Sequence, residues 1–216
     1  MDKMMDKTLQ TVRSTVKRGA HRASYEAESV YAILDAATIC HVGFVVDGQA
    51  RVNPINYWRD GDRLYVHGSH ANSLLRAMTT QDVCVNVSIL DGLVLARSAP
   101  RHSVNYRSVV LFGRAEKIED NAEKTRLFEA MFEKLLPGRW DEIRKPTENE
   151  LTGVALVGLP INDASLKARS GPPGDMDEDY ALPVWAGELP VVHMREAPIA
   201  DPRLDETVAL PDYLKG

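Results

Sequence analysis

Two Asp-Gly dipeptides, Asp47-Gly48 and Asp60-Gly61, punctuate three extended runs, and no other feature limits the fold of this chain as much. A two-residue Asp-Gly connection suits antiparallel strands because positive φ at both positions matches the right-handed twist of the strands it joins. The runs are Ile39 to Val46, Gln49 to Trp58 and Arg63 to Gly68, so the sequence predicts an antiparallel meander of three strands. Further on, Val83, Val85, Val87 and Ile89 alternate with Asp82, Cys84, Asn86 and Ser88, the pattern of a strand with one buried face. Extended runs also cover Asn105 to Ile118, Gly153 to Leu159, Leu166 to Arg169 and Leu182 to Glu188. Strands that follow one another through short turns indicate a mainly β (α+β) antiparallel barrel with a few flanking helices, not a parallel sheet.

Four stretches carry helical signals. Ser24 is placed to cap a helix with Val30, Ile33, Leu34 and Ala37 on one face. Leu74, Leu75 and Met78 fit a short helix whose first turn holds Ser69, His70, Asn72 and Ser73. Asp120-Asn121 opens a third, with Leu127, Phe128, Met131 and Leu135 inward and Pro137-Gly138 as its stop; Thr147 and Glu150 form a capping box for a fourth. Residues 1–23 lack an apolar period and read as an N-terminal arm over a partner subunit, residues 24–190 as one domain, and the proline-interrupted residues 191–216 as a tail packed on it.

Composition removes several function classes. The net charge of −5 comes from acids and bases mixed along the chain, so no basic stripe marks nucleic acid as a partner. No apolar run reaches the roughly 20 residues of a membrane span, and the first residues lack a signal-peptide core, so a cytoplasmic protein with no membrane contact is expected. Cys40 and Cys84 lie in apolar runs outside any Cys-x-x-Cys pair and read as reduced core thiols. Gly-x-Gly-x-x-Gly, Walker, His-Glu-x-x-His and Gly-x-Ser-x-Gly motifs are missing, and His41, His67, His70 and His102 form no ligand pair, so no metal is expected.

What remains is an ordered set of segments: Ile39-Cys40-His41-Val42-Gly43-Phe44, then Val52-Asn53-Pro54, then Leu64 to Leu75 with His67-Gly68-Ser69-His70-Ala71-Asn72-Ser73 at its centre, then Ser108 to Ala115 and Leu182 to Gly187. In order and spacing this set resembles the FMN-binding split barrels of the pyridoxamine 5'-phosphate oxidase-like family, including its nitroimidazole-resistance-protein-like subgroup, between Ser24 and Pro190. The resemblance implies a Greek-key split β-barrel, FMN as cofactor, and a homodimer with flavin at the interface. It puts the phosphate at the helix start formed by Ser69, Asn72 and Ser73, where unpaired N–H groups and the helix dipole suit an anion, although such residues also serve as ordinary caps. It lays the flavin ring along Val52, Asn53 and Pro54 and along Val66, His67 and Gly68, makes Arg51 a phosphate partner, and brings Lys167, Arg169 and Trp185 from the second subunit. His67 is the expected catalytic side chain.

The vitamin B6 oxidases of this family carry an Arg-x-His element after their tryptophan segment, whereas here Trp185-Ala186-Gly187 runs into Glu188-Leu189-Pro190-Val191-Val192. The expected activity is therefore FMN-dependent reduction of a small organic acceptor rather than oxidation of pyridoxamine phosphate. The alternative is a non-catalytic protein that binds flavin or haem, with His67 or His41 on the iron.

Overall fold

The structure, a computed structural model, describes residues 7–215. Its strands and helices run β1 (Ala23–Ser24), α1 (Ala27–Asp35), β2 (Ile39–Val46), β3 (Gln49–Asn56), β4 (Trp58–Asp60), β5 (Arg63–Ser69), α2 (Ser73–Thr80), β6 (Val83–Leu95) and β7 (Ser103–Gly113). There follow β8 (Glu116–Lys117), α3 (Asn121–Leu135), α4 (Arg139–Glu142), α5 (Glu148–Gly153), β9 (Val154–Pro160), β10 (Ala164–Arg169) and β11 (Gly187–Pro190). One sheet has the order β1-β10-β7-β6-β2-β3 with β11 added to β6, the other β4-β5-β9-β8, and neither closes on itself. Every pairing is antiparallel, which is the split barrel expected from the sequence.

The first Asp-Gly turn forms as its residues demand, with φ of 52° at Asp47 and 75° at Gly48. The return strand does not run on to Trp58, however. Tyr57 alone joins β3 in one sheet to β4 in the other, because the two neighbouring aromatic rings are buried in different places. Tyr57 belongs to the main core, where its hydroxyl donates to the Leu34 carbonyl at 2.6 Å, while Trp58 anchors a second cluster with Tyr65, Leu127, Met131 and Leu156. The three-strand meander is therefore two hairpins in two sheets.

Two further expectations shift for similar reasons. The run from Asn105 breaks at Gly113, where a Cβ would stand 3.1 Å from Leu159 Cδ1, and resumes as β8 in the other sheet. Ser24 does not cap α1; it pairs with Leu166 in β1–β10, and the α1 cap residue is Glu26. The Ala27 N–H instead finds the Lys7 carbonyl at 3.0 Å, so a segment distant in sequence does the work of a capping side chain. Part of the expected N-terminal arm packs on its own subunit: Leu9 is fully buried, and its N–H and carbonyl bond to Tyr25 and Ala164, while residues 1–6 of the arm lie outside the described residues.

The main core lies between the sheets and collects Val30, Ile33 and Leu34 of α1 with Leu74, Leu75 and Met78 of α2. α3 covers the second cluster, with Phe128 and Leu135 packed at its edge. Beyond β11 the chain makes one short 3-10 turn, Asp212–Leu214, and is tied down where Arg195 donates to the Leu135 carbonyl at 3.0 Å and Tyr213 donates to Glu142. No helix among the described residues is long and apolar enough to cross a membrane.

Candidate functional site

α2 starts with an organised turn. The Asn72 side-chain oxygen accepts the Leu74 N–H at 2.9 Å, and Ser69 accepts the N–H groups of Ala71, through its hydroxyl, and of Asn72, through its carbonyl. Ser69 and Asn72 thus cap the helix, as the sequence allowed. The N–H groups of Ser73 and Leu75 and the Ser73 hydroxyl make no hydrogen bond among the described residues. Gly68 closes the turn from below: a Cβ there would meet Asn72 Nδ2 at 3.4 Å. The three residues of the expected phosphate site, Ser69, Asn72 and Ser73, lie together in one turn, beside Gly68 from the strand expected along the flavin ring, and its free N–H groups suit an anion.

β3 contributes the next group, and its pleat divides it. Arg51 pairs with Phe44 and Asn53 with Val42, so these two share the core-facing side of β2, and Val52 and Pro54 lie on the outer side with Gly43 and His41. As an edge strand β3 is exposed almost throughout. Arg51 has no carboxylate within ion-pair distance among the described residues. α2 itself packs against β2, which sets its first turn and the β3 edge on neighbouring elements.

His67 sits elsewhere. Val66 points into the main core, so His67 points the opposite way, under α3, with its ring centroid 5.9 Å from that of Trp58 and 5.4 Å from that of Phe128. Burial among these rings pushes its pKa below the ordinary histidine value. The sequence expectation puts His67 beside the flavin; the structure packs its ring against Trp58 and Phe128, on the side of β5 that faces α3.

Lys167 and Arg169 are on β10, with β7, β6 and β2 between it and β3, and Trp185 lies in the loop that leads into β11. Lys167 donates to the Arg18 carbonyl at 2.9 Å, and Arg169 donates to Asn105, to Gly171 and to Pro172. Both hold loops of their own subunit. Trp185 is 67 % exposed and free to meet another surface.

One feature had no sequence signal. A cavity of about 600 Å³ lies beside α2, walled by Leu75, Arg76 and Thr79, by Ala115 to Glu119, by Val154 to Val157, and by His70 and Lys124. Lys124 is only 3 % exposed, and its Nζ donates to the carbonyls of Leu151 and Val154 at 2.8 and 3.0 Å. The His70 Nε2 lies 2.9 Å from the Thr152 carbonyl at the cavity mouth. Cys40 and Cys84 are both thiols; burial pushes Cys40 up to about 12, which makes it inert. Among the described residues no three of His, Cys, Asp and Glu converge to hold a metal ion.

An open antiparallel split barrel with an anion-receptive turn at the strand-to-helix junction defines the class of this protein. The model of the pyridoxamine 5'-phosphate oxidase family matches residues 26–168, and the chain belongs to that family. Among solved structures it is similar to the flavocytochrome Anf3 from Azotobacter vinelandii, with 43 % identity over 97 % of both chains and a TM-score of 0.91. It is also similar to the FAD and heme binding protein from Mycobacterium smegmatis, with 35 % identity over 90 % of this chain and 96 % of that one and a TM-score of 0.85. A Bacteroides thetaiotaomicron protein assigned to 5-nitroimidazole antibiotic resistance shares the fold at 20 % identity over 67 % of this chain and 85 % of its own, with a TM-score of 0.56. No curated protein matches the chain by sequence.

Proposed function

We propose that this protein is a dimeric redox protein that binds a flavin together with a haem. The observation that carries the reading is the similarity to the flavocytochrome over 97 % of both chains, supported by the FAD- and haem-binding relative at 35 % identity. FMN was the sequence expectation; we take FAD to be the form bound, because the relative that covers 90 % of this chain binds FAD. In either form the first phosphate occupies the Ser69–Ser73 turn, with Arg51 as counter-charge from the β3 edge. A flavin moves electrons in pairs or singly, and a haem accepts them one at a time. This chain's part is to hold the flavin phosphate, to orient the ring against backbone groups, and to exclude water by bringing two subunits together.

Of the two histidines considered for the iron, His67 is closed in by Trp58 and Phe128, whereas His41 is exposed on the outer sheet face; His70 is exposed too, but its Nε2 is engaged with the Thr152 carbonyl at 2.9 Å. The dimer reading rests on that same outer face, which carries Val45 and Val52 at 48 % and 65 % exposure and, among the described residues, no covering strand or helix. A second copy covers it and supplies Trp185; Lys167 and Arg169 stay with their own loops. A small organic acceptor fits this chemistry, and two free thiols fit a cytoplasmic location.

The absorbance spectrum of the purified protein tests the proposal. A flavin band together with a Soret band is expected, with the flavin released by acid identified as FAD by mass. A flavin band alone in protein made with haem supplied would return the protein to simple flavin-dependent reduction, and no chromophore would overturn both.

A further inference from the structure

We propose that the cavity beside α2 is a second binding site, built for a flat, largely apolar molecule that carries carboxylates, with Lys124 as the buried ammonium that receives one of them. The cavity of about 600 Å³ has an apolar floor, Leu75, Ala115, Ile118 and Val154 to Val157, broad enough for an aromatic body. Its charges are unbalanced toward the positive. Arg76 and Lys117 make no ion pair among the described residues, while Glu116 is held by Arg63 at 2.7 Å, which leaves Glu119 as the one unneutralised acid of the lining. In a chain of net charge −5, such a local excess of cations marks the place an anion would seek.

Lys124 is the decisive residue. An ammonium 97 % removed from water is costly unless its donors are used and its charge is met. Two donors go to the Leu151 and Val154 carbonyls, which fixes the head group at the wall, and no carboxylate lies within ion-pair distance among the described residues. A lysine needed only to tie α5 to β9 would be served by its carbonyls; one that also lines a cavity with Arg76 and Lys117 has a third donor and a full charge to offer a guest. The site adjoins the flavin turn through His70 and extends away from it along α2, past Asn72 and Ser73 at the helix start to Arg76 and Thr79.

Two sources share this chemistry. A haem presents two propionates on a flat apolar ring, in which case the assignment rests on the reading under Proposed function; an exchangeable aromatic acid presents the same groups without it. The test uses the full-length protein, freed of bound haem where it carries any, with hemin, iron-free protoporphyrin IX and 2-naphthoate as probes, in wild type, Thr79→Trp, which fills the cavity, and the double variant Arg76→Glu, Lys117→Glu. We expect one probe molecule per chain, near-complete loss of binding in Thr79→Trp, and about a tenfold weaker affinity in the double variant, which salt screening also produces in wild type. Lys124→Met should weaken binding as well, and because it also removes the tie to the Leu151 carbonyl of α5, the two rim variants carry the decision. Tight binding of both porphyrins assigns the site to haem. Binding of naphthoate in a protein that shows no Soret band keeps this site while removing the haem reading. Haem retained undiminished by Thr79→Trp, with no probe affected by either rim variant, overturns the site while leaving the haem reading intact.

Discussion

His67 exchanges hydration for aromatic neighbours, and the exchange has a sign. Its pKa is lowered from the ordinary 6.5 by burial. Between the lowered value and 6.5 the unfolded chain holds the proton and the folded chain does not, so stability rises with pH through that window and is lost as the solution is acidified below 6.5. A His67→Phe protein should show a melting temperature less sensitive to acidification across this range, with flavin content like that of wild type. An unchanged slope would assign the pH dependence to other groups. Arg51 is the opposite case, an exposed residue without an internal partner. Arg51→Glu should leave stability within about 0.5 kcal/mol, yet weaken flavin binding by about ten- to a hundredfold, the worth of a charged hydrogen bond of about 1.5–3 kcal/mol. Fluorescence titration of the apoprotein reads this directly, and an unaltered affinity would remove Arg51 from the phosphate.

Among the elements, α2 offers a substitution that separates folding from binding. Aspartate caps a helix as well as asparagine does and suits the positive end of the dipole, so Asn72→Asp with Ser73→Asp should hold or raise the melting temperature. The same charges repel a phosphate, and flavin should be lost. Flavin retained at wild-type affinity would place the phosphate elsewhere. The elements that could be read from sequence were those with a complete local signal: the Asp47-Gly48 hairpin, α3 between Asp120 and Pro137-Gly138, and the Thr147–Glu150 capping box that opens α5. The capped turn at Ser69 to Ser73, where the flavin phosphate is proposed, was legible for the same reason. Where the deciding partner is remote, local pattern fails. Nothing near Ser24 reveals that the Lys7 carbonyl will meet the start of α1. Alternation says that Tyr65 and His67 share a face but not that α3 covers it. A lysine on an amphipathic helix reads as solvated, and only the fold turns Lys124 inward. The resemblance implied Lys167 and Arg169 across an interface; the loops they hold in their own subunit are fixed by tertiary packing and leave no local signal.

At the scale of the whole molecule, the outer face of β2 and β3 governs assembly in our proposal. Val52 is 65 % exposed, so Val52→Glu costs the isolated subunit little while burying a charge in any interface formed there. Sedimentation should show a shift toward monomer together with loss of flavin, and a dimer that keeps its flavin would move the interface to another face. The single residue Tyr57 between β3 and β4 bears on a different property, the independence of the two halves. A connection of one residue, with its N–H held by the Thr38 carbonyl at 3.0 Å and its hydroxyl by Leu34, leaves no slack for one sheet to open while the other stays closed. The slowest amide protons of β2, such as that of Val42, and of β5, such as that of Val66, should therefore exchange with solvent in one shared event at the free energy of global unfolding. Two separate plateaus in native-state hydrogen exchange would show that the halves breathe apart despite the tether.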